Sequence, residues 1–392
     1  MNVEVIPEAV MTPCPTVVKV IGAGGGGSNA VNRMIEFGID NVQFIAVNTD
    51  VQALSRCNAA KKVPIGGKLT KGLGAGGKPT VGENAAIEDR EKLENVLRGA
   101  DMIFVTAGMG GGTGTGSAPV IAQTARELDA LTVAVVTKPF DFEGKHKMKL
   151  AEEGIEKLRE QVDALIVIPN TNLLQDEDKD TPMSVSFRKA DDVLRAGVQG
   201  ISDLITHVGD MNIDFADVRE AMKDKGDALL GIGCGSGVNK GLDAAKEAVH
   251  NPLYETNSID GATHILVNIT CNSKFSGVEY REVMDFITEN ADPDAVIKIG
   301  LVFDDAMEDA VKVTVVATGF QNVAKAAELN AKKVEEEKRP GSNELFDLDG
   351  LLKTGKQKTN LPDIESDLDT PTIMRQNRFT LLDTRRQAGG GA

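Results

Sequence analysis

Tryptophan is absent from this chain and tyrosine occurs only twice. Proteins that hold single-stranded nucleic acid commonly stack bases on aromatic rings, so that class is disfavoured. The formal net charge of -16 points the same way, because an acidic chain is repelled by nucleic acid and by anionic lipid. Cysteine is scarce: Cys14, Cys57, Cys234 and Cys271 show no CxxC spacing, and His146, His207, His250 and His264 do not join them in a ligand pattern. This argues against a zinc site or a disulfide framework, and scattered thiols suit a reducing compartment. Apolar runs such as Leu131 to Val136 are strand-length, too short to span a membrane. The first residues, MNVEVIPEAVMTPCPT, have neither a basic start nor a continuous apolar core, so no signal peptide is expected there.

What the chain has in quantity is glycine, 41 residues among 392, clustered rather than spread. Clusters mark loops where backbone approaches a ligand or takes positive φ. The length suits two domains and a tail. Short β-branched runs at 17–21, 42–47, 102–106, 131–137 and 164–168 alternate with helical segments, including one from Thr80, in a capping box with Glu83, to about Leu97. That alternation predicts a mostly parallel sheet covered on both faces, with ligands at the carboxyl ends of its strands. Phe187 to His207 reads as a long buried connecting helix and Phe215 to Met222 as a short one. A smaller mixed α/β unit follows, with strands near 228–232, 264–270, 295–302 and 311–317 and helices near 240–250 and 278–289. Beyond residue 320 the composition turns to Ala, Lys and Glu over 321–338, which allows a frayed helix, and then to Gly, Pro, Lys and Asp over 339–367, which predicts a disordered linker.

Two glycine runs carry the chemistry. Gly22-Ala-Gly24-Gly-Gly-Gly27 follows a strand, precedes a helix expected from about Ser28, and satisfies GxGxxG, with Asp50 about 20 residues on. Alone it fits a dinucleotide-dependent oxidoreductase. The second run, Gly110-Gly-Gly-Thr-Gly-Thr-Gly116, also sits between a strand and a helix. Two such loops on one sheet edge suggest a longer phosphate chain gripped from both sides, with Thr113 and Thr115 adding hydroxyl donors. Gly72-Leu-Gly-Ala-Gly-Gly77-Lys78-Pro79 nearly matches a Walker A loop. Pro79 stands where a hydroxyl should hold magnesium and lacks the N–H of a phosphate cradle, so a flexible wall near the terminal phosphate is the better reading.

Asn212-Ile-Asp214-Phe-Ala-Asp217 lies past the long helix. Capping explains one aspartate at a helix start, but not both carboxylates plus an asparagine. Carboxylates can orient a water for in-line attack or hold magnesium through water. A helix of about 20 residues spans roughly 30 Å, so this loop should not reach its own chain's phosphate site, whereas a second copy stacked head to tail could receive it. A nucleotide-binding scaffold without catalysis stays open as an alternative, beside the oxidoreductase.

These motifs, together with Ala46-Val-Asn-Thr-Asp50, Thr70-Lys-Gly-Leu-Gly-Ala-Gly76 and Lys138-Pro-Phe-Asp-Phe-Glu-Gly144 in the same order, resemble the FtsZ family of bacterial tubulin-like division GTPases over about residues 17–320. The resemblance implies a tubulin-like α/β fold: a Rossmann-like parallel sheet, a long connecting helix, a smaller mixed α/β C-terminal domain and a disordered tail. The boundaries expected are a flexible arm over 1–15, a GTP-binding domain over 16–183, the connecting helix over 184–209, an activating domain over 210–320, a disordered linker over 321–367 and a partner-binding peptide and tail over 368–392. It implies GTP and GDP as ligands, with Mg2+ held mainly through phosphates and water. Gly25, Gly26, Gly27, Ser28 and Asn29, with Gly112, Thr113 and Gly114, would cradle phosphate. Glu143 would hold ribose, with Lys147 where the family often has arginine. Phe187 would stack on the base and Asp191 would accept from guanine N1 and N2. Asp214, Asp217 and Asn212 would complete a neighbour's active site in head-to-tail filaments. Asp369-Thr-Pro371-Thr-Ile373-Met374-Arg375 resembles the family's terminal peptide, which binds membrane-tethering and regulatory proteins, with Ile373-Met374 where a Phe-Leu or Phe-Ile pair is more familiar. A cytoplasmic ring at mid-cell, under the inner membrane, is the expected location.

Overall fold

A computed structural model describes residues 16–174, 181–206, 211–250 and 259–320. The described residues start with β1 (Val18–Ala23), α1 (Gly24–Glu36), β2 (Val42–Asn48), α2 (Val51–Ser55), β3 (Lys61–Pro64), α3 (Gly67–Thr70), α4 (Pro79–Glu88) and α5 (Arg90–Leu97). It continues with β4 (Met102–Gly108), α6 (Thr113–Glu127), β5 (Leu131–Lys138), α7 (Lys145–Arg159) and β6 (Ala164–Pro169). Then come α8 (Met183–Thr206), α9 (Phe215–Met222), β7 (Gly226–Ser236), α10 (Lys240–Val249), β8 (His264–Cys271), α11 (Gly277–Glu289), β9 (Val296–Phe303) and β10 (Ala310–Thr318).

The strands run in the order β3-β2-β1-β4-β5-β6-β7-β10-β8-β9. The first six are mutually parallel, so their carboxyl ends share one edge. Every residue of β1 is buried, as expected of a strand covered on both faces. One apolar layer packs α1 and α8 against the sheet through Val31, Met34, Leu194, Val198 and Ile201. The opposite layer holds Ala118, Ile121 and Leu158 from α6 and α7, with Leu93 and Leu97 from α5. From β6 the sheet passes to β7 through a short parallel register, Ala164 with Gly226 and Leu165 with Asp227. Beyond it β7, β10 and β8 pair antiparallel and β9 lies parallel to β8, with α10 and α11 closing a third apolar cluster.

Three local expectations need correction. The first helix begins at Gly24 rather than near Ser28, so the glycine run is itself the opening turn. The helix expected from Thr80 to Leu97 starts at Pro79, with Lys78 as its cap and no capping box, and breaks at Asp89. The break is tertiary: the Asp89 carboxylate accepts the Gly66 N–H at 2.7 Å and pairs with Lys92 at 2.7 Å. The stretch Gly66 to Lys78, expected as a Gly/Lys-rich loop, carries the short helix α3. The arm over 1–15, the linker over 321–367 and the peptide Asp369 to Arg375 lie outside the described residues.

Candidate functional site

Because β1 and β4 are neighbours, the segments leaving them meet at one edge. Each strand runs almost directly into a helix. Neither α1, preceded by Ala23, nor α6, preceded by Gly112, receives a side-chain cap. The opening N–H groups of a helix have no partner within it and carry the positive end of the dipole, so two such termini side by side suit a chain of phosphates. Their closeness demands glycine. Gly24 takes φ +71°, and a Cβ there would lie 2.7 Å from the Gly114 nitrogen; one on Gly26 would lie 3.0 Å from the Gly108 nitrogen. Gly25 and Asn29 are exposed. Ser28 is buried and its hydroxyl donates to the Gly24 carbonyl at 2.7 Å, so it braces the turn from within.

Two further segments wall this edge. The hydroxyls of Thr49, after β2, and Thr113 are 2.6 Å apart. The stretch before α4 presses on Gly112, where a Cβ would lie 2.9 Å from both Ala75 Cβ and the Lys78 nitrogen. The near-Walker sequence thus supplies a wall, not a cradle. Asp50, the acid of the dinucleotide fingerprint, spends its carboxylate capping α2, accepting from the N–H groups of Gln52 and Ala53 at 2.8 and 3.1 Å.

Past β5 the edge turns aromatic. Glu143 accepts the Phe140 N–H at 2.9 Å and pairs with Lys147, whose backbone lies against Gly110. Phe140 is fully buried and meets the half-exposed Phe187 ring edge-on, with centroids 5.3 Å apart. Asp191 follows one turn along α8. Burial pushes its carboxyl up to about 6, against the opposing charge of Arg33 on α1. Sequence reasoning missed Asn170, just past β6. Among the described residues its buried amide oxygen has no hydrogen-bond partner, in a turn that packs against α8. An unsatisfied buried acceptor at a ligand edge calls for a donor; the only sequence signal was its position after a strand.

The acidic loop lies elsewhere. Asp214 caps α9, accepting the Asp217 N–H at 2.7 Å, and Asp217 pairs with Lys298 of β9 at 2.8 Å. The Lys298 hydrogen bond is the largest influence holding the Asp217 carboxyl below its ordinary range. Asn212 sits between Met211, bridged to Leu301, and the buried Ile213. Arg219 on α9 and Lys223 just past its end both pair with Asp129, which precedes β5 at the edge opposite the glycine loops. An eight-residue strand spans ~26 Å, so one chain does not bring its acidic loop to its own phosphate edge.

A parallel sheet that brings two uncapped helix N-termini together at one edge, followed by a long helix and a mixed sheet, defines the tubulin-like class of GTPases. Residues 17–178 match the model of the Tubulin/FtsZ family GTPase domain, and residues 226–321 that of the FtsZ family C-terminal domain. Among solved structures, the chain is similar to the empty FtsZ dimer of M. jannaschii at 43% identity, over 78% of this chain and 89% of that one, with a TM-score of 0.73. A point mutant of the M. jannaschii FtsZ matches at 43% identity, over 78% and 92%, with a TM-score of 0.74. CetZ2 from Haloferax volcanii, in a GTPγS-bound protofilament, shares the fold at 20% identity, over 82% and 99%, with a TM-score of 0.66. The chain belongs to the FtsZ family, and is thus a GTP-binding enzyme that hydrolyses GTP to GDP and phosphate. Among the described residues, no helix is long and apolar enough to cross a membrane.

Proposed function

We propose that this GTPase polymerises head to tail into cytoskeletal filaments and hydrolyses GTP at the junction between subunits. The observation that carries the reading is the separation of the two halves of the site: phosphate loops at one edge of the sheet, acidic loop at the other. The first structural relative above is itself described as a dimer. In this reading Gly25, Gly26, Gly27, Ser28 and Asn29 hold phosphate from one side, and Gly112, Thr113 and Gly114 from the other. Glu143 and Lys147 hold the ribose side, Phe187 covers the base, and Asp191 accepts from guanine N1 and N2. Asp214 and Asp217 of the next subunit orient a water in line with the γ-phosphorus, with Asn212 assisting. The water oxygen bonds to phosphorus, the bond to the bridging β–γ oxygen breaks, and the water's proton leaves through the carboxylates.

Magnesium suits this edge, because the Thr49 and Thr113 hydroxyls are hard oxygen donors beside the phosphate loops. When bound, Mg2+ offsets the charge of the phosphates. The peptide Asp369, Pro371, Ile373, Met374 and Arg375 is proposed to bind membrane-tethering and regulatory division proteins, so that filaments collect as a cytoplasmic ring at the future septum, under the inner membrane. The residue ranges 16–183, 184–209 and 210–320 are the proposed GTP-binding, connecting and activating parts. The oxidoreductase alternative loses support because Asp50 is occupied as a helix cap.

The test is the pair Asp214→Asn and Asp217→Asn in the full chain. Each should bind GTP like the parent while phosphate release collapses under polymerising conditions. Unchanged release in both would overturn the roles assigned to these carboxylates, and a parent with no release at all would favour the non-catalytic scaffold.

A further inference from the structure

The acidic loop is fastened to a strand outside its own helix. Met211 and Leu301 of β9 exchange two backbone bonds, of 3.3 and 2.9 Å. One residue back along β9, Gly300 leaves room for Ile213, whose Cδ1 would lie 3.4 Å from a Cβ at that position. Two residues further back, and so on the same face of the strand, Lys298 extends its Nζ to the Asp217 carboxylate at 2.8 Å. The strand therefore grips the loop at three successive points: a backbone pair, an apolar contact and an ion pair. Lys298 faces Asp217 and Glu220 on α9 and Asp214 at its cap.

We infer that Lys298 is a positioning residue for GTP hydrolysis, fixing the Asp217 carboxylate in one orientation and offsetting the charge of the acidic loop where it meets the neighbour's phosphates. The inference rests on the reading that Asp217 acts at the neighbouring nucleotide. Carboxylates advancing on a triphosphate are repelled by it, and a cation already bonded to one of them lowers that repulsion. Both partners are partly exposed, with side-chain exposures of 39% for Lys298 and 27% for Asp217. A pair so placed contributes little to stability, so orientation and charge are its uses. Lys298 also keeps Asp217 ionised further into acid, the form that can accept from water.

The experiment compares full-length parent, Lys298→Met and Lys298→Arg for phosphate release from Mg-GTP across pH, at matched sedimented polymer mass and with GDP binding measured in parallel. Turnover of K298M at neutral pH should be lowered about two- to fivefold, the range open to a half-exposed ion pair, and the ratio of K298M to parent turnover, in which the titrations of Asp191 and the nucleotide common to both proteins cancel, should show an acid limb displaced to higher pH. GDP affinity should be unchanged, and K298R should return the limb towards the parent. Superimposable K298M and parent profiles would overturn the inference, as would a loss uniform across pH that K298R does not recover. If D217N itself hydrolyses GTP normally, the reading of Asp217 fails, whatever Lys298 does.

Discussion

Base recognition at Asp191 should titrate. Burial raises this carboxyl to about 6, and only its ionised form can accept from both guanine N1 and N2. The ionised form grows as pH rises through that value, so affinity climbs from pH 5 and levels off above pH 7. With a pKa of about 6 the ionised fraction is about nine-tenths at pH 7 and one-tenth at pH 5. The expected loss between them is ~10-fold in GDP affinity, about 1.4 kcal/mol. The phosphates of GDP titrate in the same range, so Asp191→Asn is the reference: the ratio of parent to variant affinity isolates the carboxyl. Isothermal titration calorimetry at half-unit pH steps would give that ratio, which should fall about tenfold from pH 7 to pH 5. A ratio independent of pH would refute the role of Asp191 in reading the base. The linkage carries a second sign. Because the folded carboxyl is raised, its ionisation costs stability above that pH, so nucleotide-free D191N should melt at a higher temperature than the parent at pH 7, with the gap closing as both become neutral below the ordinary carboxylate range.

Further outcomes follow from other residues. Gly24→Ala forces a non-glycine residue to φ +71° and sets a methyl 2.7 Å from the Gly114 nitrogen; equilibrium dialysis should show GDP affinity lowered more than ~10-fold, given a local conformational cost of roughly 1–2 kcal/mol before any clash. Asp214→Ala removes the cap of α9 as well as a carboxylate, costing about 1 kcal/mol in a urea melt, whereas Asp214→Asn should keep the cap and lose only hydrolysis. Lys19 donates to the carbonyls of Val96, Leu97 and Arg98 at the end of α5, at 3.0, 3.3 and 2.7 Å. Lys19→Met should therefore lower the urea midpoint by an amount worth roughly 1–3 kcal/mol at an unchanged m value.

The central strands were legible because each is a short β-branched run buried on both faces, a pattern that one sequence displays without help. The β3 strand was not: Lys61 and Lys62 precede a single buried residue, Val63, as suits a sheet edge where charge discourages further pairing. The split between α4 and α5 was hidden because its cause, the bond from Gly66 to Asp89, joins residues 23 positions apart. Both glycine loops announced themselves, but their backbone contact depends on β1 and β4 being neighbours, which is topology rather than motif. Phe187 and Asp191 are proposed only through family resemblance, since an exposed ring and a carboxylate on a helix are otherwise ordinary. Asn170 carried no signal beyond its place after a strand, and Lys298 carried none. One needs its burial to be noticed, and the other looks like an edge-strand lysine until its partner is known.

The central claim, that the active site is shared between copies, is tested most directly by phosphate release from Mg-GTP against protein concentration, with light scattering read in parallel. The specific rate should stay near zero at low concentration and rise past a threshold, where scattering also appears. A specific rate that stays constant across the threshold would mean each chain holds a complete site, contradicting the division of labour between the glycine loops and the acidic loop.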